Sequence, residues 1–161
     1  MRVLGIDPGL QTTGYGVLET SPHGIRLVEA GVVRSAARGT LAGRVREIHE
    51  GVADVLRSLG PAVMAIEKLY SHYDRPVTAI LMGHARGAII LAAALAEVPV
   101  ADYPATRVKK TLTGSGRAGK GQVQAAIQRE LRLARFPDPP DVADALAIAL
   151  CHCHAQRTPL R

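Results

Sequence analysis

The 161-residue chain reads as a single α/β domain. Three observations predict this class: three strand-like apolar runs open the chain, two further short apolar runs alternate with long helical patterns, and no composition shift or internal repeat marks a second boundary. A domain of this length buries a substantial core without disulfides or a structural metal. With 47 % hydrophobic and 21 % charged residues the chain has the usage of a folded protein, so disorder is excluded.

The first run, Val3 to Ile6, reads as a buried strand that ends on Asp7. Asp7-Pro8-Gly9 is turn chemistry, because Pro fixes φ and Gly accepts a positive φ. Thr13 to Leu18 then returns as the second arm of a hairpin, and Ile25 to Arg34 reads as a third strand, which together predict an antiparallel meander. Taken locally, Asp7 is a turn carboxylate.

After a polar, basic break at Ser35 to Gly39, Thr40 is placed to cap a helix running to about Leu59. Leu41, Val45, Ile48, Val52, Val55, Leu56 and Leu59 recur along it at helical spacing, and Gly60-Pro61 ends it. Ala62 to Ile66 is a short apolar run expected for a strand covered on both faces, and it ends on Glu67. Lys68 to Pro76 reads as a polar loop carrying Tyr70, His72, Tyr73 and Arg75. Val77 to Glu97 is a helix apolar almost all round, broken by His84 and Arg86. It is expected to be buried on more than one side, within the monomer or at a subunit interface. Pro99 to Ala101 is a last short strand, Tyr103 to Leu112 a short helix, Thr113 to Gly121 a flexible Gly-rich loop, Gln122 to Leu133 a helix, and Asp141 to Cys153 the final helix after a Pro-rich break. The domain is assigned to residues 1–155 and a short tail to 156–161.

The charge is segregated. Between Arg107 and Arg135 stand eight basic residues and one acid, Glu130, leaving 12 basic and 13 acidic residues elsewhere, so the formal excess of +6 is local. Helix faces are usually balanced by acids at i,i+4, and those are missing here, which points to a polyanionic partner. With no Trp and five aromatic residues, base stacking would rest on a few Tyr side chains. Tyr70 and Tyr73 are the candidates. The opening strand leaves no room for a signal peptide, and the longest apolar stretch, Gly87 to Ala96, is too short for a membrane span; the expected location is the cytoplasm. Cys151 and Cys153 suit reduced thiols better than a disulfide framework.

The chemistry lies in carboxylates at element ends. If the strand after the first long helix lies parallel to and beside the opening strand, Asp7 and Glu67 share one sheet edge, with strands ~4.8 Å apart. Asp141 and Asp144 are three apart, on one face of the first turn of an otherwise apolar helix. Helix capping explains that pair equally well when it is taken alone. The joint set of four acids is oxygen-only and suits Mg²⁺ or Mn²⁺. Opposite a basic surface it points to phosphodiester hydrolysis, where two ions ~3.5–4 Å apart activate water and stabilise the leaving oxygen.

The ordered motifs GIDPG-x4-GYGV from Gly5, AIEKLY from Ala65, GHARG from Gly83, ATRVKK-TLTGSG from Ala105, GKGQVQ from Gly119 and DVADALAIAL-CHCH from Asp141 resemble the RuvC-type Holliday junction resolvases over nearly the whole chain. The resemblance implies an RNase H-like fold, a five-stranded mixed sheet flanked by helices, acting as a homodimer on four-way junction DNA beside a branch-migration helicase of RuvA and RuvB type. It implies paired nicks that leave 5′-phosphate and 3′-hydroxyl ends. It carries the metal-binding catalytic role onto Asp7, Glu67, Asp141 and Asp144, with Mg²⁺ or Mn²⁺, expected as two ions per site. DNA contact is carried onto Tyr70, Lys109 and Lys120, and the adjoining basic residues Lys110 and Arg117 are added from the local charge.

Competing signals are weaker. Cys151, His152, Cys153 and His154 are consecutive on a helix and point in different directions, which disfavours zinc. The loop from Gly114 to Gly121 lacks the Ser or Thr that follows the lysine of a P-loop. An actin-like ATPase needs two domains around its nucleotide. The remaining rivals are an RNase of the same fold and a non-catalytic nucleic-acid-binding module.

Overall fold

A computed structural model describes residues 1–69 and 76–157. The strands are β1 (Arg2–Asp7), β2 (Thr12–Ser21), β3 (Gly24–Arg34), β4 (Val63–Glu67) and β5 (Val100–Tyr103). The helices are α1 (Leu41–Leu59), α2 (Pro76–Leu95), α3 (Ala105–Thr113), α4 (Lys120–Glu130) and α5 (Pro140–Arg157). They build a five-stranded mixed sheet in the order β3-β2-β1-β4-β5, antiparallel through β1–β2 and β2–β3, and parallel through β1–β4 and β4–β5. The meander and the neighbouring parallel strands are those expected from the sequence.

Strand alternation divides the core. Leu4, Ile6, Val17, Met64 and Ile66 face one layer with Ile48, Val52 and Leu56 of α1 and Ile89, Ala92 and Ala93 of α2. Val3, Leu18, Val63, Ala65 and Tyr103 face the other, where α5 lies against the sheet and α3 and α4 cover α5. Each fully buried Leu, Ile or Met contributes ~1.5–3 kcal/mol of transfer free energy. The same parity puts Asp7, two residues after Gly5, and Glu67, two after Ala65, on the α5 side.

Thr40 caps α1 by accepting from the Gly43 N–H at 3.1 Å, and Gly60 ends it in the left-handed conformation (φ 54°), both as expected. Other boundaries move. Tyr103 closes β5 rather than opening a helix, because Pro104 takes the N-cap position. The segment read as a flexible loop to Gly121 ends earlier: Lys120 is the first residue of α4 and the Gln122 side chain accepts from the Gly119 N–H at 2.9 Å. That loop is also pinned, with Ala118 buried and the Thr113 hydroxyl donating to the carbonyls of Lys109 and Ser115. At its far end α4 stops at Glu130, short of Leu133, where Arg132 turns into the left-handed region (φ 53°). Helix α5 continues past Cys153 to Arg157, which donates to the Ser21 carbonyl.

Of the two alternatives for α2, burial on more than one side within the monomer does not hold. The helix buries one face, through Ala85, Ala88, Ile89, Ala92 and Ala93, while Val77, Ile80, Leu91 and Leu95 are 52–70 % exposed. Taken as a 20-residue helix it is long and apolar enough to cross a bilayer, which the shorter Gly87 to Ala96 stretch did not suggest. In this fold it is docked on α1 and the sheet, with Arg86 on its inner side.

Candidate active site

The site is built where β1, β4 and the start of α5 meet. Asp7 is the last residue of β1, and its strand partner across the hairpin is Gly14. The turn that follows Asp7 is fastened by Thr13, fully buried, whose hydroxyl donates to the Gly9 carbonyl at 2.7 Å and accepts from the Gly9 N–H at 3.3 Å. Glu67 is the last residue of β4, one step beyond the Ile6–Ile66 pair that ends the β1–β4 register.

Helix α5 reaches these strand ends because the strands carry glycine beneath it. A Cβ on Gly5 would stand 2.1 Å from the Ala145 carbonyl oxygen, one on Gly14 2.0 Å from the Asp141 carbonyl oxygen, and one on Gly16 2.5 Å from Leu146 Cδ2. No side chain fits there. The helix backbone therefore rests on the sheet, and its first turn delivers Asp141 and Asp144 beside Asp7. Sequence reasoning took Gly14 and Gly16 only as part of the second strand and of the GYGV motif; their spacing of two, matched by Gly5 on the paired strand, is the signal it missed.

The electrostatics follow from this crowding. The Asp7 carboxyl is pushed up to about 8 by burial first, then by the fields of Asp144, Glu67 and Asp141, with Lys120 pulling the other way. Burial raises Glu67, helped by Asp144 and opposed by Lys109. Asp144 is likewise raised by burial and by Asp141, against Lys120 and Lys109. Asp7 thus lies within the fields of the other three acids, and Asp144 within those of Asp7, Glu67 and Asp141. Among the described residues no three Asp, Glu, His or Cys side chains close into a ligand cage.

In front of them lies a cleft of about 220 Å³ whose polar lining includes Glu67, Asp144, Lys109 and Lys120, over an apolar floor of Val108, Val123, Ala143 and Ile148. Lys109 comes from α3 and Lys120 from the first turn of α4. The other basic candidates stand elsewhere: Lys110 and Arg117 are exposed and do not line the cleft. Tyr70 and Tyr73 lie outside the described residues.

The residues from Cys151 to His154 disperse as expected. Tyr103 Oη and His152 Nδ1 are 2.9 Å apart, Cys151 Sγ meets Thr111 Oγ1 at 3.6 Å, and His154 pairs with Glu130 at 2.6 Å. Burial holds the Cys153 thiol up at about 11, so it is an inert core residue.

Comparison with known proteins bears on the family and the fold. The family model described as crossover junction endodeoxyribonuclease RuvC matches residues 3–152. A protein of that name from Rhodopirellula baltica is 54 % identical over 158 residues, covering 98 % of this chain and 89 % of the relative. Among solved structures, Thermus thermophilus RuvC superposes with a TM-score of 0.88 at 38 % identity, covering 98 % of this chain and 96 % of that one. The same protein in complex with a Holliday junction substrate gives 0.88 at 37 % identity, covering 98 % and 95 %.

Proposed function

The chain belongs to the RuvC family of crossover junction endodeoxyribonucleases, and from that premise we propose that it resolves four-way DNA junctions by hydrolysing one phosphodiester on each of two strands of like polarity. The observation that carries this reading is that Asp7 lies within the fields of Glu67, Asp141 and Asp144, and that Glu67 and Asp144 line a cleft together with Lys109 and Lys120.

Four crowded carboxylates fit a divalent cation. Their donor atoms are all hard oxygens, and the burial and neighbouring carboxylates that raise Asp7 favour the entry of positive charge among them. We assign Asp7, Glu67, Asp141 and Asp144 as the residues that would hold Mg²⁺ or Mn²⁺, with two ions expected. When bound, such ions lower the pKa of a water and stabilise charge on an in-line phosphorus centre. The chain's own residues supply the rest. Lys109 and Lys120 offset the charge of the acids and of an incoming phosphate, while the apolar floor excludes bulk water. Hydrolysis by water needs no covalent nucleophile and leaves a 5′-phosphate and a 3′-hydroxyl, ends that a ligase can rejoin.

Two cuts on strands of like polarity call for two equivalent sites, and a closed twofold dimer supplies them. The exposed apolar face of α2 supports a homodimer, since a patch carrying Val77, Ile80, Leu91 and Leu95 is an expected contact for a second copy. Lys110 and Arg117, which lie outside the cleft, and Tyr70 remain proposed DNA contacts. A partnership with a branch-migration helicase of RuvA and RuvB type, and a cytoplasmic location, complete the reading; free, buried Cys151 and Cys153 are in keeping with the latter.

The test is incubation with a synthetic four-way junction and a linear duplex of the same sequence, in Mg²⁺, Mn²⁺ or EDTA. Paired nicks in the junction that require the ion are expected. Equal cutting of both DNAs, or cutting in EDTA, would contradict the proposal.

A further inference from the structure

Arg86 lies on the inner side of α2, next to buried Ala85 and three residues before buried Ile89. Its guanidinium serves two acceptors on two strands. Nε donates to the main-chain carbonyl of Glu67 at 3.2 Å, and Nη2 pairs with the carboxylate of Asp102 on β5. Both acceptors stand at the end of the sheet where the acids converge: Asp102 is opposite Ile66, and the next β5 residue, Tyr103, is opposite Glu67.

This contact falls where the sheet's own hold on Glu67 weakens. The β1–β4 register stops at Ile66. One residue past Glu67, the Lys68 N–H bonds the Tyr103 carbonyl at 2.9 Å, so the sheet's hold on Glu67 comes from β5. Arg86 is 20 % exposed and presents donors in a rigid planar fork. A lysine has the charge without the fork.

We propose that Arg86 is a positioning residue, which aims the Glu67 carboxylate toward Asp144 by clamping the Glu67 carbonyl to Asp102, and so sets how tightly the acids take a divalent cation. The proposal rests on the nuclease reading and names a determinant outside the acids themselves. A tie that merely held α2 to the sheet would alter thermal stability and leave cation affinity alone.

The experiment measures Mn²⁺ affinity by calorimetry or by the loss of the free-ion paramagnetic signal, without DNA, in the full chain and in Arg86→Met, Arg86→Lys and Asp102→Asn. Junction binding in EDTA and thermal melts are recorded alongside. Removing a group that orients a metal ligand weakens metal binding about tenfold or more. Arg86→Met is expected to show that loss with junction affinity in EDTA unchanged within about twofold, Arg86→Lys a smaller loss, and Asp102→Asn the least, because the bond from Nε to Glu67 survives. Wild-type Mn²⁺ affinity in folded Arg86→Met overturns the proposal. Should that variant fail to fold, Arg86→Lys decides in the same way, raised Kd supporting the proposal and unchanged Kd overturning it. If the unmodified chain neither binds Mn²⁺ nor cuts junctions, the nuclease reading falls and this inference with it; if it does both while the Arg86 variants match it, this inference alone falls.

Discussion

Helices α2 and α5 are alike in composition and opposite in burial. Both are long and rich in apolar residues, yet α5 is buried from Val142 to Cys153 at every position but Asp144, while α2 buries a single face. The difference comes from their neighbours. Helix α5 has glycines of β1 and β2 beneath it and α3 and α4 above it; α2 has α1 and the sheet on one side and no cover among the described residues on the other. Apolar composition says that a helix wants burial. What covers it is decided elsewhere in the chain, and in this fold the fully covered helix carries two of the acids while the half-covered one offers a contact face.

The strongest way to break this contrast is to lift α5 off the sheet. Gly14→Ala places a methyl group 2.0 Å from the Asp141 carbonyl oxygen, and rigid backbone cannot yield as a side chain would. A loss of ~3 kcal/mol is expected in urea unfolding, at the upper end of overpacking costs, with cleavage reduced more than ~100-fold. By contrast Gly87→Ala on α2, where a Cβ meets nothing within 4 Å, should be neutral or slightly stabilising.

Docking α5 also brings carboxylates together, and that has a sign in pH. Folded Asp7 holds its proton up to about 8, whereas unfolded it releases it near 3.8, so between these values the folded chain binds more protons. The associated stability is fully present below about 4 and is lost as pH rises through 8. Metal-free protein should therefore melt at progressively lower temperature from pH 5 to pH 8. Glu67 and Asp144, both raised, add to the trend, and Lys120 moderates it. Asp7→Asn should flatten most of the slope and raise stability in EDTA at pH 8 by ~2–4 kcal/mol. A flat profile for the unmodified chain would refute the crowding.

Smaller effects separate the two helices further. Leu91→Glu on the open face of α2 should leave the monomer's unfolding free energy within ~0.5 kcal/mol, as for surface changes generally, while halving the mass seen in sedimentation. Its counterpart on α5, Leu150→Glu, buries a charge and should prevent folding.

Much of this was legible in the residues. Apolar runs gave the five strands nearly in place, because buried strands leave continuous hydrophobic signatures. Asp7 and Glu67 were legible as strand-end acids, and counting parity from Gly5 and Ala65 would have put both on one face. The docking role of Gly5, Gly14 and Gly16 was not, since close approach depends on a helix some 130 residues away in sequence. Arg86 was hidden for the same reason: in sequence it interrupts an apolar helix, and only tertiary packing gives it Glu67 and Asp102. The one-sided burial of α2 was illegible because uniform apolarity carries no facing information.

The most direct test of the central claim, that the four acids form a cation-dependent cutting centre within a DNA-binding cleft, is Asp7→Asn measured for binding and cleavage on the same four-way junction in Mg²⁺. The account predicts junction affinity equal to or tighter than that of the unmodified chain, with nicking abolished. Nicking at the unmodified rate would contradict it.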